Sequence, residues 1–230
     1  MKTFDFYEFT GILVPGALML VGIMLIYPQV NTVFPPNLTV GDLGLFVIVA
    51  YATGHVIQAI GNRVERLWWL AWGGRPTDWV RTRAHPLLAN EQLQSLKKDV
   101  SSELNIHATI DNNMKEIAWR GITRQIYAVV AAQARNSRVD IFNGNYGLTR
   151  GIATALLVVT VLLLYAHGLL YWQIIILLLI SAGVSLYRMK HFGVLYAQEL
   201  FAQFLQVSDG KSGITPSTED KKQTNQDQVG

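Results

Sequence analysis

Four apolar stretches dominate this chain, and each is long enough to cross a lipid bilayer as a helix. A spanning helix needs about 20 predominantly apolar residues at ~1.5 Å rise each. The stretches run from about Phe9 to Tyr27, Leu43 to Ile60, Ile152 to Ala166 and Trp172 to Leu186. The short segment between the last two leaves room only for a tight hairpin. The sequence therefore predicts an all-α integral membrane protein with four transmembrane helices.

The basic residues are distributed asymmetrically about these stretches. Residues 28–42 and 166–172 contain no Lys or Arg, whereas all 19 basic residues lie at Lys2, within residues 61–150 or after Tyr187. Cytoplasmic loops of membrane proteins carry an excess of Lys and Arg. We therefore expect both termini and the long middle segment to lie in the cytoplasm.

The middle segment is predicted to be helical. Gly73-Gly74-Arg75-Pro76 should end a helix that continues from the second span to Trp72. A short helix is predicted over Asn90 to Leu104, and Asp111 looks like the N-cap of a longer helix that reaches about Val139. Asn143-Gly144-Asn145 is typical of a turn.

These breaks predict five segments along the chain. The helix after the fourth span carries an apolar stripe that includes Leu200 and Phe204, and it is expected to pack against a neighbouring helix. The final residues are rich in Ser, Thr, Gln and charged groups, a composition typical of disorder. The segments are a first transmembrane helix pair (1–60), a basic helical cytoplasmic region (61–150), a second transmembrane hairpin (151–187), a cytoplasmic helix (188–206) and a disordered tail (207–230).

Enzymatic signatures are missing from the sequence. The absence of cysteine excludes disulfides, thiolate metal sites and cysteine nucleophiles. The common phosphate-binding, dinucleotide-binding, zinc-protease and serine-hydrolase motifs do not occur. Five histidines are scattered without ligand spacing, at His55, His85, His107, His167 and His191. We therefore expect no catalytic residues, no metal and no cofactor.

The second span carries an unusual polar face. Tyr51, His55, Gln58 and Asn62 fall within ~60° of one another at ~100° per residue. Polar groups at bilayer depth are costly and usually face a bundle interior or a water-filled cavity. The face therefore predicts either a pore lining with a gate or hydrogen bonds that fix helix packing. Gly54 and Gly61 lie beside it and permit close helix contact.

A row of arginines is the second candidate site. If the helix after Asp111 is continuous, Arg120, Arg124, Arg135 and Arg138 also share one face within ~60°. Guanidinium groups bind phosphates through paired, charge-assisted hydrogen bonds. The row is equally compatible with a solvated basic face, with contact to anionic lipid headgroups, or with an acidic protein partner.

Several short motifs accompany this layout, and together they suggest a family. They are Phe6-Tyr7-Glu8-Phe9, Pro15-Gly16, the run from Gly54 to Asn62, Asn136-Ser137-Arg138, and Tyr146-Gly147-Leu148-Thr149-Arg150. With the four spans they resemble the small four-span membrane effectors of bacterial anti-phage defence systems. The resemblance is nearest to those of the Hailong system, and the membrane subunits of the Kiwa system share the layout.

The resemblance implies an oligomeric channel opened by a cyclic oligonucleotide that a partner nucleotidyltransferase makes. The resemblance also implies a location in the bacterial inner membrane, which opening would depolarise in an infected cell. Four helices enclose little space, so a conducting path needs several subunits, and we expect a homotetramer in the lipid bilayer. We expect no binding to duplex nucleic acid. The alternative is a membrane scaffold or sensor that recruits a cytoplasmic partner protein without conducting ions.

Overall fold

A computed structural model describes residues 6–32, 39–105 and 109–212, with side chains described for 9–30, 39–105 and 109–208. Over these residues the chain is helical and contains no strand. A 3-10 turn occupies Pro28–Thr32. The α-helices are α1 (Phe6–Ile26), α2 (Val40–Leu70), α3 (Pro76–Thr82), α4 (Asn90–Glu103), α5 (Glu116–Ala132), α6 (Ser137–His167) and α7 (Trp172–Ser212).

Four of these helices, α1, α2, α6 and α7, are long and apolar enough to cross a membrane. They contain the four apolar stretches that the sequence predicts, so this part of the prediction is confirmed. The first two helices of the middle segment also match: α2 ends within two residues of Trp72, and α4 covers the predicted short helix. The sequence did not predict the short helix α3.

The chain divides into two compact units. The first contains the described residues up to Leu87 together with Ser137–Glu199, and the second contains Leu88–Asn136 with the residues from Leu200 onward. In the first unit, α1, α2, α6 and the start of α7 bury a common core that includes Met19, Ile57, Val159 and Ile175.

Glycines set the contact between α1 and α2. A Cβ added to Gly16 would lie 1.8 Å from the Ala50 carbonyl oxygen, and one added to Gly54 would lie 2.1 Å from that of Ile12. The two backbones therefore touch, which only residues without a side chain permit. Gly61 faces α6, where an added Cβ would lie 3.1 Å from Thr154 Oγ1. The close helix contacts predicted at the two glycines are thus confirmed, with Gly54 against α1 and Gly61 against α6.

The second unit has its own apolar core. It includes Leu96 and Val100 from α4 and Trp119 and Ile126 from α5, all buried. The last part of α7 completes it: Leu200, Phe201 and Phe204 are buried, and the rings of Trp119 and Phe201 lie 6.1 Å apart. The apolar stripe predicted on this helix therefore packs against a neighbour, as expected.

The long helix predicted from Asp111 to about Val139 is wrong at both ends. Asp111 Oδ1 accepts hydrogen bonds from the backbone N–H groups of Asn113 and Met114, in a turn that precedes α5. The helix then ends at Ala132, because Ala134 takes a left-handed conformation (φ 54°). The Arg135 N–H bonds the Val130 carbonyl and the Ala134 N–H bonds that of Ala131, which closes a Schellman C-cap.

Two further predictions are corrected. Asn143–Asn145 is not a turn but lies inside α6, where the Asn145 side chain bonds back to the Ile141 carbonyl at 2.9 Å. The predicted disordered tail begins too early, because α7 continues helically through residues 207–212. The rest of that predicted tail lies outside the described residues.

Candidate functional site

The four polar residues predicted on the second span all lie on α2, but they do not share one environment. The His55 ring packs edge-on against Tyr51 at 4.8 Å, and Tyr51 in turn stacks on Phe9 at 5.8 Å. His55 and Asn62 are exposed, as is much of Tyr51, whereas Gln58 turns inward.

Gln58 connects three helices. Its Nε2 donates to the Gly11 carbonyl of α1 at 2.6 Å and lies 3.4 Å from the Gly147 carbonyl of α6. Its Oε1 accepts a hydrogen bond of 2.7 Å from Arg150 of α6. Every polar atom of this amide therefore has a partner within the subunit. For Gln58 the geometry supports the packing interpretation.

A buried carboxylate lies two helical turns further along α2. Glu65 is 4% exposed, and its Oε2 lies 2.5 Å from Arg150. Its other oxygen, Oε1, lies 2.9 Å from Arg75 in the turn that follows α2. Buried charges are stable only when they are paired in this way. We call Glu65, Arg75, Arg150 and Gln58 the Glu65 clamp.

Sequence reasoning did not identify the clamp as a site. By its spacing, Glu65 only continues the polar face of the second span, three residues after Asn62. The sequence offers one indication that Arg150 is paired: it lies at the very start of an apolar span, where a guanidinium needs an acidic partner. That partner is 85 residues away, so spacing alone could not identify it.

Aromatic residues pack beside the clamp. Trp69 Nε1 donates to the Tyr146 hydroxyl at 2.8 Å, and the Arg150 guanidinium lies 6.0 Å from the Tyr146 ring centre. Trp79 packs edge-on against Trp69 at 6.2 Å and donates to the Gly74 carbonyl at 3.0 Å. The cluster thereby ties the α2–α3 turn, which carries Arg75, to the end of α2.

The exposed side of α2 carries a continuous stripe of small and polar residues. By their spacing, its members fall within an arc of ~80° around the helix axis, and each is exposed. We call them the α2 stripe: Ala52, His55, Ala59, Asn62 and Arg66. Beside the stripe the exposed surface carries one further basic residue, Arg63, and the apolar residues Val56, Ile60 and Leu67. Along α7, by contrast, the exposed residues from Ile174 to Val184 are apolar or glycine.

The arginine row does not form on one helix. Arg120 and Arg124 lie on α5, Arg135 in the turn after it, and Arg138 at the start of α6. Arg120 pairs with Glu116 one turn earlier, and Arg135 donates to Gln206 at 3.2 Å. Arg138 lies 3.8 Å from Glu199. The prediction of a single guanidinium face is therefore wrong, because the Schellman cap after Ala132 separates Arg138 from the helix of Arg120 and Arg124.

Among the described residues, no group of three or more His, Asp or Glu side chains could hold a metal ion.

No known protein family, curated protein or solved structure matches this chain. What the chain does is therefore inferred from its own residues, and the resemblance to anti-phage membrane effectors stays a prediction.

Proposed function

We propose that the chain is one subunit of a homo-oligomeric membrane pore, in which the α2 stripe of each subunit faces the other subunits and the water-filled path between them. The observation that carries this proposal is the exposure of His55, Asn62 and Arg66 on one side of a helix that is long and apolar enough to cross a membrane. Ala52, His55 and Ala59 lie within the predicted span, and Asn62 and Arg66 follow where the middle segment begins.

Lipid is an unfavourable neighbour for this stripe. An ionisable or amide side chain in the hydrocarbon region costs several kcal/mol unless it meets water or another polar group. The stripe also contains Ala52 and Ala59, and small residues of this kind let helices approach closely. A second copy of α2, or water held between copies, satisfies both properties.

The path must run between subunits rather than through one. Within a subunit α1 and α2 are in backbone contact at Gly16 and Gly54, and Gln58 bonds α2 to both α1 and α6. Close packing of this kind disfavours a water path among these three helices. A tetramer with α2 innermost is the assembly we expect, with the basic segments and both termini on the cytoplasmic side of a bacterial inner membrane.

Opening by a ligand is the second part of the proposal. The resemblance suggests an anti-phage effector opened by a cyclic oligonucleotide from a partner nucleotidyltransferase. In the second unit Arg120, Arg124 and Arg135 are all exposed. These groups are suited to phosphates, although they do not form the single row that the sequence predicts.

The test is ion flux through purified protein in liposomes, with and without a panel of cyclic and linear oligonucleotides. We expect flux with one nucleotide class, and a several-fold change in that flux in His55→Leu. His191→Leu is the matched control, because His191 is exposed on α7 outside the stripe. Absence of flux under every condition, with the oligomer intact, would contradict the proposal.

A scaffold is the second candidate, and one observation favours it. Ile117 on α5 is 80% exposed, and an added Cβ at Gly121, one turn later, would meet only open space. An exposed apolar and small surface of this kind suits a partner helix. If the liposomes conduct no ions, Ile117→Asp should reduce capture of a cytoplasmic partner in a pull-down, whereas Ile180→Asp on α7 should not.

A further inference from the structure

The Glu65 clamp joins three separate parts of the chain through one carboxylate. Glu65 belongs to α2, Arg150 to α6 and Arg75 to the turn after α2, and the two ion pairs measure 2.5 and 2.9 Å. Gln58 adds a third connection, because it accepts from the same Arg150 guanidinium at 2.7 Å. Arg75 is the accessible arm of the clamp, since 45% of its side chain is exposed.

The clamp and the α2 stripe alternate along the same three turns of helix. Gln58 lies three residues after His55, and Glu65 lies three residues after Asn62 and next to Arg66. A helix turns as a rigid rod over this length. Any rotation of α2 that breaks the clamp must therefore also change which side chains the stripe presents.

The glycine contacts of α2 fix its distance from its neighbours better than its rotation. Gly16 and Gly54 bring the α1 and α2 backbones together, and Gly61 brings α2 close to α6. Contacts of this kind have no side chain to interlock. Hydrogen bonds and ion pairs depend strongly on direction. The clamp therefore restrains the rotation of α2, together with the Trp69–Tyr146 hydrogen bond near its end.

We propose that Glu65 is the positioning residue of α2: its two ion pairs hold α2 in one rotation against α6, and their loss frees the helix to turn. The consequence for conduction rests on the proposed function, whereas the positioning itself does not. In a pore lined by the α2 stripe, the clamp would hold the resting arrangement.

A designed cysteine pair tests the position of α2 relative to α6 directly. The chain has no cysteine of its own, so Gly61→Cys with Thr154→Cys gives a single pair. The added Cβ at position 61 would lie 3.1 Å from Thr154 Oγ1, within reach of a disulfide. The rate of disulfide formation is measured in liposomes under mild oxidation, by counting the remaining free thiols. This rate reports the fraction of time that α2 spends packed against α6 in the arrangement described above.

The clamp predicts a graded series in this background. Glu65→Gln removes both ion pairs and should slow disulfide formation about fivefold, whereas Glu65→Asp keeps the charge and should stay within about twofold of the parent. Arg75→Gln removes the accessible arm only and should slow it about twofold. Exchanging the charges in Glu65→Arg with Arg150→Glu restores the pair between α2 and α6 but places a second guanidinium beside Arg75, so it should recover only part of the rate. Glu116→Gln, on the exposed surface of α5, is the control and should change nothing.

Two outcomes would overturn the proposal. Equal rates in the parent, Glu65→Gln and Arg75→Gln would mean that the clamp does not position α2. If Glu65→Gln protein does not accumulate, equal rates in the parent and Arg75→Gln would have the same meaning. Flux measured on the same liposomes separates the two proposals: slowed disulfide formation without ion flux in any variant supports the positioning role and contradicts the pore.

Discussion

At the scale of the residue, the chain depends on how its buried charges are paired. Glu65 is almost completely buried between two arginines, and the Arg150 side chain is itself only 18% exposed. Removing one partner of a buried pair leaves an uncompensated charge, whereas replacing both by apolar residues is often nearly neutral. This asymmetry makes the clamp testable.

Arg150→Leu should lower the free energy of unfolding by ~3 kcal/mol, the lower end of the range for a broken buried pair, because Arg75 still faces Glu65. The double change Glu65→Leu with Arg150→Leu should recover much of that loss. Both are measured by SDS titration of the detergent-solubilised protein, followed by circular dichroism.

Arg120→Leu is the matched control for this prediction. Arg120 pairs with Glu116 at the surface, where both side chains are about half exposed, and exposed helical pairs contribute ~0.5 kcal/mol or less. A loss in Arg150→Leu no larger than in Arg120→Leu would show that the ion pair with Glu65 does not stabilise the fold.

At the scale of the element, two glycines hold α1 and α2 in backbone contact. Gly16→Ala places a methyl group 1.8 Å from the Ala50 carbonyl and 2.6 Å from the Gly54 nitrogen. Backbone atoms cannot move aside as a side chain can, so we expect a loss of ~1–3 kcal/mol in the same titration.

Gly183→Ala is the control on α7, because an added Cβ there would meet nothing within 4 Å. Alanine is the better helix former by ~1 kcal/mol, so this variant should be neutral or slightly stabilised. Destabilisation of both variants alike would mean that Gly16 is not at a close helix contact.

The Schellman cap after α5 predicts that replacing alanine by glycine has opposite effects on stability at two positions. Ala134 has φ 54°, which costs a non-glycine residue ~1–2 kcal/mol, so Ala134→Gly should raise the stability by ~1 kcal/mol. Ala128→Gly, on the exposed side of α5, should lower it by ~1 kcal/mol. Thermal unfolding of the full chain in detergent measures both, and the same sign for the two variants would contradict the cap.

These elements explain which features were predictable from the sequence. The four long helices follow from their apolar length, and the close contacts at Gly54 and Gly61 follow from their spacing beside a polar face. The end of α5 was missed because alanine occupies the position where a Schellman cap usually carries glycine. The partners of Glu65 were missed because one of them, Arg150, is brought to it only by the packing of α2 against α6.

The polar face of the second span was predicted as one surface, and the structure divides it. Gln58 faces inward because Arg150 and two carbonyl groups satisfy its amide. His55 and Asn62 face outward. Helical spacing shows which residues are neighbours on a helix, but the two interpretations of such a face can be separated only when the adjoining helices are known.

At the scale of the whole molecule, the proposed pore places the α2 stripe of each subunit against water and the other subunits. The protein contains no native cysteine, so a single cysteine at any position reports its own surroundings. His55→Cys probes the stripe, and Ile180→Cys is the matched control, because Ile180 is 59% exposed on the apolar surface of α7.

The most direct measurement treats both variants in liposomes with a charged, membrane-impermeant thiosulfonate and, separately, with a mild oxidant. The pore predicts that the cysteine at position 55 reacts, that the reaction changes ion flux, and that oxidation links subunits into disulfide dimers, while position 180 does none of these. An unreactive, monomeric cysteine at position 55 in a fully inserted protein would contradict the pore.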